Sequence, residues 1–400
     1  MSIAVGVDIG AYKHAVAVCR SGEREADRRT MEISADRAGF RQLATWMGTL
    51  PEAVSLVVME SSGHYWYNLA SHLHRAGIAV AVVNPLESKY FGKRRLQRSK
   101  SDRADARTLA ALGMHDQPRA DIPLGRSELR EAARFTMRLV REQAEVCQRI
   151  QRLIDLGFPE LREVWEDPAC VSALAVLRKA PTAPAVARLR FETLAGLKRP
   201  GEGGRAIGRA KAEQLQRLAK ESVAAPELEA QVGFEMRLLI QQHDFLDRQI
   251  AEAEARLATL LDGETARRLL TIPGVGPATV ATLLAEIGDI WRFTDVDQLL
   301  AYAGVHPKEQ SSGQKGTRPE TSWTMAKTGN AHLRAAAYRI AIAGIKHNPV
   351  LRSHYARKRA AGKSPMNAVG HCMSKALSLV WGVWRSGKDF DPRRAEPRSA

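Results

Sequence analysis

Four carboxylates stand where folding could bring them into one site. Asp8 follows the apolar run IAVGV, and Glu60 ends the apolar run VSLVVME. Asp102 and Asp105 lie three residues apart in KSDRADARTLAALG, so they would share one face of a helix. Mg²⁺ prefers hard oxygen ligands, and two such ions about 4 Å apart can hold a phosphodiester during its transfer. The spacing therefore predicts a Mg²⁺ site, in which Mn²⁺ can substitute, for phosphoryl transfer on nucleic acid.

The elements that must position these carboxylates have the pattern of a mixed sheet covered by helices. Two strand-like runs, IAVGVDIG and HAVAVC, are joined by the short link AYK, which is typical of a hairpin. Helix-like and strand-like segments then alternate as far as the helix that holds Asp102 and Asp105. This order predicts an α/β, RNase H-like domain over residues 1–125.

A helical coiled-coil domain is predicted over residues 126–262. One helix should run from Ser127 to about Leu156, and a second from about Leu228 to Leu261. The second helix carries a seam of residues at alternating spacings of four and three, the coiled-coil pattern. These residues are Val232, Met236, Leu239, His243, Leu246, Ile250, Ala253, Leu257 and Leu260. The two helices could pair with each other or with another protomer, and residues 157–227 are expected to form an insertion between them.

A mainly helical domain is predicted over residues 263–385, followed by a disordered basic tail over 386–400. The run TARRLLTIPGVGPATVATLLAEIGD is typical of a helix-hairpin-helix-like element, with Gly274 and Gly276 in the turn and a helix starting near Pro277. Amides at that helix start could bind a phosphate. A G-x-G turn also joins two packed helices without any such role.

Composition agrees with a polyanionic partner. The formal charge is +16 and the sequence pI is near 10.0, which favours binding through phosphate contacts. The four cysteines lie far apart without a C-x-x-C pair, so neither a zinc site nor a disulfide framework is indicated. No early apolar run has the length of a signal peptide or a membrane span. We expect a cytoplasmic protein, associated with the nucleoid when active and without a membrane partner.

Two basic segments are candidates for contact with nucleic acid. The run KYFGKRRLQRSK could follow a phosphate backbone, although a solvated helix face is the ordinary explanation of such a run. Its cations are Lys89, Lys93, Arg94, Arg95, Arg98 and Lys100. The second segment, EQSSGQKG, holds Ser311 and Ser312, either of which could be a nucleophile or part of a flexible linker. The cations that could activate the serine are Lys308, Lys315, Arg318 and Lys327, and spacing does not choose among them. Candidates for contact with nucleic acid near this segment are Lys315, Arg318, Lys327 and Arg334.

Together these segments resemble the DEDD transposases of the insertion-sequence 110/1111 family, relatives of the Piv-type DNA invertases. The resemblance is carried by VGVDIG, VVMESSGHYW, KSDRADARTLA, LTIPGVGPATVATLLAEIGDI, LAYAGVHPKEQSSG and AKTGNAHLRAAAYR, in that order along the chain. It implies an N-terminal domain of the Holliday-junction-resolvase type, a coiled coil and a C-terminal transposase domain. The segments 157–227 and 386–400 are where we expect the least similarity to the family.

The same resemblance implies the site and its partners. Asp8, Glu60, Asp102 and Asp105 would be the DEDD metal-binding tetrad, and Ser312 would be the nucleophile, with Ser311 as the second choice. The partners would be donor and target DNA and a noncoding bridge RNA that pairs with both. Homodimers, and a tetramer around two duplexes, are expected.

Three alternatives remain open from the sequence. A Mg²⁺-dependent Holliday-junction nuclease would use the tetrad to activate water and would leave Ser312 idle. An ATPase of the actin and hexokinase type could also begin with VGVDIG, but its second Asp-Gly phosphate motif and Gly-rich adenosine segment are not found in the sequence. A noncatalytic nucleic-acid-binding coiled-coil protein is the third.

Overall fold

The chain forms two compact units, Met1–Gly125 and Arg126–Ala400. We describe them from a computed structural model. It describes the residues 2–22, 29–61, 63–94, 101–120, 127–198, 204–310 and 322–395. Among the helices of these segments, none is both long enough and apolar enough to cross a bilayer.

The first unit is a five-stranded mixed sheet in the order β3-β2-β1-β4-β5. β2 is antiparallel to β1 and β3, whereas β4 is parallel to β1 and β5 is parallel to β4. The strands are β1 (Ser2–Ile9), β2 (Lys13–Arg20), β3 (Thr30–Ser34), β4 (Ala53–Glu60) and β5 (Val80–Val83). The helices are α1 (Arg37–Gly48), α2 (Trp66–Arg75), α3 (Pro85–Arg94) and α4 (Asp102–His115). The predicted mixed α/β sheet is confirmed, while β3 did not stand out in the sequence.

Both faces of this sheet are covered, which is why its central strands are continuous apolar runs. Ile3, Val5 and Val7 of β1 point into a core formed with α1 and α2. On the other face, α4 packs against the sheet through a second core that includes Val58 and Ala106. The ends of β1 and β4 are therefore held on a rigid frame.

In the second unit, two long helices pair along their lengths. They are α5 (Ser127–Gly157) and α11 (Glu229–Leu260). Gly157 lies beside Val232, and Glu128 forms an ion pair with Arg256, so the helices are antiparallel. Of the two pairings that the sequence allowed, the internal one is therefore present.

The seam of α11 faces the protein interior. Its buried members are Val232, Met236, Leu246 and Leu257. Its partly buried members, packed against the same cores, are Leu239, Ile250, Ala253 and Leu260. Phe234, Leu238 and Phe245 lie on another side of α11 and are about half exposed (51%, 50% and 52%).

The segment between the two long helices folds into short helices that close one core with them. These are α6 (Leu161–Val164), α7 (Val171–Lys179), α8 (Ala183–Arg188), α9 (Phe191–Ala195) and α10 (Arg209–Lys220), with a 3₁₀ turn at Pro226–Leu228. Short helices thus occupy the described part of the range 157–227, where the sequence predicts an insertion.

From Gly263 onward, the described residues of the second unit are helical apart from one small hairpin. This part contains α12 (Gly263–Leu270), α13 (Pro277–Ile287), a 3₁₀ turn at Ile290–Arg292, α14 (Val296–Ala303), β6 (Pro307–Gln310), β7 (Ser322–Met325), α15 (Ala331–His347), α16 (Pro349–Ala360), α17 (Pro365–Ser386) and α18 (Pro392–Ala395). One apolar core joins these helices to the start of α5 and the end of α11.

The end of the chain differs from the expected disordered tail. Asp389 pairs with Arg267 at 2.9 Å, and the Phe390 amide donates to Thr271 Oγ1 at 2.9 Å. These contacts tie residues after α17 back to α12. Residues 396–400 lie outside the described part of the chain.

Candidate functional site

Two neighbouring parallel strands place Asp8 and Glu60 side by side. In the register of β1 and β4, Val7 lies opposite Met59, so the next residue of each strand is Asp8 and Glu60. Side chains alternate between the two faces of a sheet. Val7 and Met59 point into the α1–α2 core, so the two carboxylates lie on the face that α4 covers.

Helix α4 brings the other two carboxylates to the same edge. A Cβ placed on Gly6 would lie 2.1 Å from the Ala110 nitrogen, and one placed on Gly113 would lie 3.0 Å from Ala4 Cβ. From its N-terminus to its C-terminus, α4 therefore crosses first the end of β1 and then the start of β1. Its first turn, which contains Asp102 and Asp105, lies at the Asp8 end.

The start of α4 is well defined locally. The Ser101 hydroxyl caps the helix by accepting a hydrogen bond from the Ala104 amide at 3.3 Å. Acidic residues in a first turn interact favourably with the positive end of the helix dipole, which suits Asp102 and Asp105. Asp102 is exposed and Asp105 is half-buried, so solvent and ligands reach both.

Electrostatics show that the four carboxylates share one region. The pKa of Asp8 is raised to about 6, first by burial and then by the negative charges of Asp105, Asp102 and Glu60, in that order. A hydrogen bond from the Ile9 amide partly opposes this rise. Like charges held together in this way favour a proton or a cation among them.

One further residue holds Glu60 in place. Ser88 Oγ donates to Glu60 Oε2 at 2.5 Å, and it also lies 3.0 Å from the Pro85 carbonyl oxygen. Ser88 is buried in α3, which begins just after β5, and Val83 at the end of β5 lies opposite Glu60 in the sheet. Sequence reasoning missed Ser88, because a serine one turn into a helix carries no chemical signal of its own.

The donor set suits a hard divalent cation, because four carboxylates provide only oxygen ligands. Within the described segments, however, no three His, Cys, Asp or Glu side chains are gathered closely enough to hold a metal ion. The backbone frame brings the four residues to one edge, and the side chains are not closed around a common point.

The basic run before α4 is only partly described. Lys89 and Lys93 are exposed on α3. Arg94 instead makes two contacts with Asp116, at 2.8 and 3.0 Å, and lies over the Phe91 ring. An arginine with its own carboxylate partner favours a structural role over a phosphate contact. Arg95, Arg98 and Lys100 lie outside the described residues.

Of the two glycines in the turn of the helix-hairpin-helix-like element, Gly274 packs closely against α15 and Gly276 is exposed. A Cβ on Gly274, which has a φ of 91°, would lie 2.9 Å from the Gly344 nitrogen in α15. Close approach at Gly274 therefore serves helix packing. Gly276 caps α13, which begins at Pro277 as predicted, and a Cβ on Gly276 would meet nothing within 4 Å.

In the sequence, the predicted nucleophile falls between β6 and β7, which pair as an antiparallel hairpin. Residues 311–321 are outside the described part of the chain. They include Ser311, Ser312, Lys315 and Arg318. Lys308 lies in β6 opposite Thr324 of β7. The structure therefore gives the base of the hairpin and no geometry for either serine.

The base of the hairpin is fixed by the loop before α15. Lys327, with a left-handed φ of 55°, donates its amide to the Gly304 carbonyl at 3.0 Å and leaves its side chain exposed. Arg334 Nη1 donates to the Ala303 carbonyl at 3.2 Å, which favours a structural role for this arginine. Lys327 remains the more accessible of these two predicted cations.

A buried carboxylate supports this loop. Glu286 of α13 accepts hydrogen bonds from Arg134 of α5 at 2.7 and 3.0 Å and from Asn330 Nδ2 at 2.7 Å. Asn330 Oδ1 also caps α15 by accepting a hydrogen bond from the Leu333 amide. The backbone amide of Asn330 donates to the Tyr302 carbonyl at 2.7 Å. Burial favours the neutral acid, yet these hydrogen bonds hold the pKa of Glu286 below its usual value. Sequence reasoning missed this network, since its members come from four separate helices or helix starts.

Comparison with known proteins places both parts of the chain in one group. Residues 5–159 match a family model for the DEDD transposase of IS110, and residues 266–356 match that of the transposase IS116/IS110/IS902 family. The first range contains all four carboxylates, and the second contains Gly274, Ser312 and Arg334.

Full-length relatives agree. The chain is 28% identical to a protein named as the mini-circle transposase for IS117 of Streptomyces coelicolor, over 99% of this chain and 97% of the relative. It is 25% identical to the 43.6 kDa protein of insertion element IS110 from the same organism, over 98% and 96%. It is 23% identical to the pilin gene-inverting protein of Moraxella bovis, over 90% and 89%.

Proposed function

Because this chain belongs to the IS116/IS110/IS902 family of transposases, we propose that it cleaves and exchanges DNA strands through a phosphoserine intermediate, in a metal-dependent reaction. The observation that supports this proposal most directly is the convergence of Asp8, Glu60, Asp102 and Asp105 at one edge of the sheet. Burial there, followed by the charges of the other three carboxylates, raises the pKa of Asp8. The strand order β3-β2-β1-β4-β5, with β2 antiparallel, supports an RNase H-like fold of the resolvase type for the first unit.

In this proposal the four carboxylates bind the metal from two kinds of support. Asp8 and Glu60 would provide oxygens from rigid strand ends, and Asp102 and Asp105 would provide them from the first turn of α4. Mg²⁺, or Mn²⁺ in its place, would polarise the scissile phosphate and offset the charge that develops on it. Ser88 would keep one Glu60 oxygen aimed at the site.

Ser312 would then attack the phosphorus atom. A bond from the serine oxygen to phosphorus forms as the bond to the sugar oxygen breaks. The serine hydroxyl gives up its proton and the departing sugar oxygen takes one up, so the step is balanced. One phosphoester replaces another, so the bond energy is kept for rejoining the strands. The choice of Ser312, directly before Gly313, rests on the family resemblance, and Ser311 is the second choice.

Assembly and guidance complete the proposal. A serine of one protomer would meet the tetrad of another, in dimers and in a tetramer around two DNA duplexes. Since the seam of α11 is used inside the protomer, the half-exposed side chains Phe234, Leu238 and Phe245 are the apolar surface left on this helix for a partner copy. Guidance by a noncoding bridge RNA that pairs with donor and target DNA rests on the family resemblance.

The metal site is tested by Asp105→Ala, with Asp116→Ala as the matched control. Asp116 is an aspartate of the same unit that pairs with Arg94 outside the cluster. Asp105→Ala should abolish strand cleavage and leave bulk DNA affinity nearly unchanged, because it removes a ligand and no positive charge. Recombination by Asp105→Ala, or by the wild type in excess chelator, would exclude the tetrad.

The serine is tested by trapping. Wild-type protein incubated with a nicked substrate that prevents rejoining should give a covalent protein–DNA complex that survives denaturation, and peptide mass mapping should place it on Ser312. Ser312→Ala should lose the complex, and Ser311→Ala should keep it. Free 5′-phosphate ends, no adduct and an active Ser312→Ala protein would show instead a nuclease that uses water.

A further inference from the structure

The last third of the chain contains a long segment without acidic residues. Residues 321–388 include no Asp or Glu and twelve Lys or Arg. Proteins usually mix charges of both signs on their surfaces, because ion pairs relieve repulsion between like charges. A segment of this length without carboxylates must leave cations without partners nearby in sequence.

Helices α16 and α17 concentrate part of this charge. They pack against each other in the core of the second unit through residues that include Leu351 and Val369. Arg359 Nη1 donates to the Lys363 carbonyl across the turn that joins the two helices. The cations and histidines that lie together here, which we call the α16–α17 basic face, are His354, Arg357, Lys358, Lys363, His371 and Lys375.

Their mutual effects identify them as one electrostatic cluster. Burial, followed by Arg357, Lys358, Lys375 and His371, lowers the pKa of His354 to about 4. Burial, followed by neighbouring lysines, also lowers the pKa of His371. No carboxylate contributes to either shift. Arg357 and His354 are in contact, with Nη2 and Nδ1 3.1 Å apart, so the cluster is compact as well as charged.

This face borders the hairpin that carries the two serines. A Cβ on Gly370 would lie 3.4 Å from Cε of Met325, the last residue of β7. Ser374 Oγ donates to the Val305 carbonyl at 3.0 Å, two residues before β6. His371 directly follows Gly370, and Lys375 directly follows Ser374, so the basic face begins where α17 touches the base of the hairpin.

We propose that the α16–α17 basic face binds the phosphate backbone of duplex DNA next to the serine hairpin. Two rows of positive charge on adjacent helices, about 8–10 Å apart, present an area that can contact several phosphates. If the cluster served only solubility, its position on the surface would not matter. Its position beside the base of the β6–β7 hairpin therefore favours binding of a ligand that also reaches the hairpin. The choice of DNA over other polyanions rests on the proposed function, in which that hairpin attacks DNA.

The test neutralises three cations of the face in the full-length protein: Arg357→Gln, Lys358→Gln and Lys363→Gln together. The matched control neutralises three cations of α10: Lys211→Gln, Arg217→Gln and Lys220→Gln. The two variants lose the same net charge. Binding to a 40-base-pair duplex of arbitrary sequence is measured by fluorescence anisotropy at a series of salt concentrations.

The triple variant of the basic face should bind DNA at least roughly tenfold more weakly near 0.1 M salt, with a salt slope lower by about two to three units. The α10 control should keep both values. Lys363→Gln alone, at an exposed position in the turn between the helices, should lower the slope by about one unit, so the proposal stays testable if the triple variant folds poorly.

Equal DNA affinity and slope in the triple variant and the control would overturn the proposal. Loss of binding to single-stranded RNA with unchanged duplex binding would also overturn it. Both results leave the Ser312 adduct assay unaffected. Conversely, a wild-type protein without an adduct would refute the proposed function while the duplex-binding difference could still stand.

Discussion

Replacing Asp8 with asparagine should stabilise the first unit of the protein at neutral pH. Asp8 is half-buried beside three other carboxylates, and burial and repulsion together raise its pKa from 3.8 to about 6. Above pH 6 the carboxylate is ionised in both the folded and the unfolded chain. The folded state alone then pays the electrostatic cost, which asparagine removes while keeping the size of the side chain.

The magnitude and its pH dependence follow from linkage. A rise of about two pKa units corresponds to about 3 kcal/mol, which solvent screening at a partly exposed site reduces to about 1–2 kcal/mol. Between the unfolded pKa of 3.8 and the folded pKa of about 6, the folded state binds more protons. The stability of the wild type therefore falls as pH rises through this window. The advantage of Asp8→Asn should be complete above pH 6, roughly half as large at pH 5 and absent below pH 4.

The assay is native-state hydrogen exchange of the β1 and β4 amides as a function of urea, which reports on this unit separately from the rest of the chain. Asp116→Asn, outside the cluster, serves as the control. Mg²⁺ should protect these amides in the wild type, by about 2.7 kcal/mol at a hundredfold excess over its dissociation constant, and should protect Asp8→Asn far less. An Asp8→Asn protein less stable than wild type at pH 7.5, or equally protected by Mg²⁺, would refute a shared carboxylate site.

Two further predictions concern the second unit. Leu246→Asp places a charge in a core position that is 4% exposed, so it should destabilise the fold by about 3 kcal/mol or more. Phe245→Asp, at a 52% exposed position, should leave the melting temperature nearly unchanged and should reduce the oligomer mass in light scattering. A monomeric wild type would contradict the prediction for Phe245→Asp. Glu286→Gln leaves Arg134 without its charged partner and should lower the free energy of unfolding in urea by about 2–3 kcal/mol. Glu264→Gln, a control at a solvent-exposed ion pair, should have little effect. Equal effects of the two variants would mean that the Glu286 network does not support the hairpin base.

The convergence of the four carboxylates could be predicted because strand ends are readable in the sequence, while their role in binding a metal stays a prediction. An apolar run that stops at an acid marks both the strand and its end, as in VVME before the end of β4, and Asp102 and Asp105 follow a serine that caps their helix. The helix pair was predicted equally well, since its seam has a strict period. The sequence did not decide which helix packs against this seam, because the same apolar stripe can pair within a protomer or between protomers.

What the sequence did not reveal depends on contacts between distant segments. Ser88 contacts Glu60, 28 positions away, and Glu286 contacts Asn330, 44 positions away. Neither Ser88 nor Glu286 belongs to a periodic sequence pattern. Arg94 is ordinary in a basic run until Asp116 is seen beside it. The α16–α17 basic face had one readable signal, the absence of acidic residues over 321–388, which averaging the charge over the whole chain conceals.

The distance between the two halves of the carboxylate cluster is set by small residues, and no acidic side chain determines it. At Gly6, two residues before Asp8, a Cβ would lie 2.2 Å from the Ala106 carbonyl oxygen, so any side chain there would push α4 off the sheet. Asp102 and Asp105 would move away with the helix, while Asp8 and Glu60 would stay on their strands. Repulsion among the carboxylates acts in that same outward direction, and packing of the helix on β1 resists it. The apolar contacts of α4 thus provide the free energy that offsets repulsion among the four carboxylates.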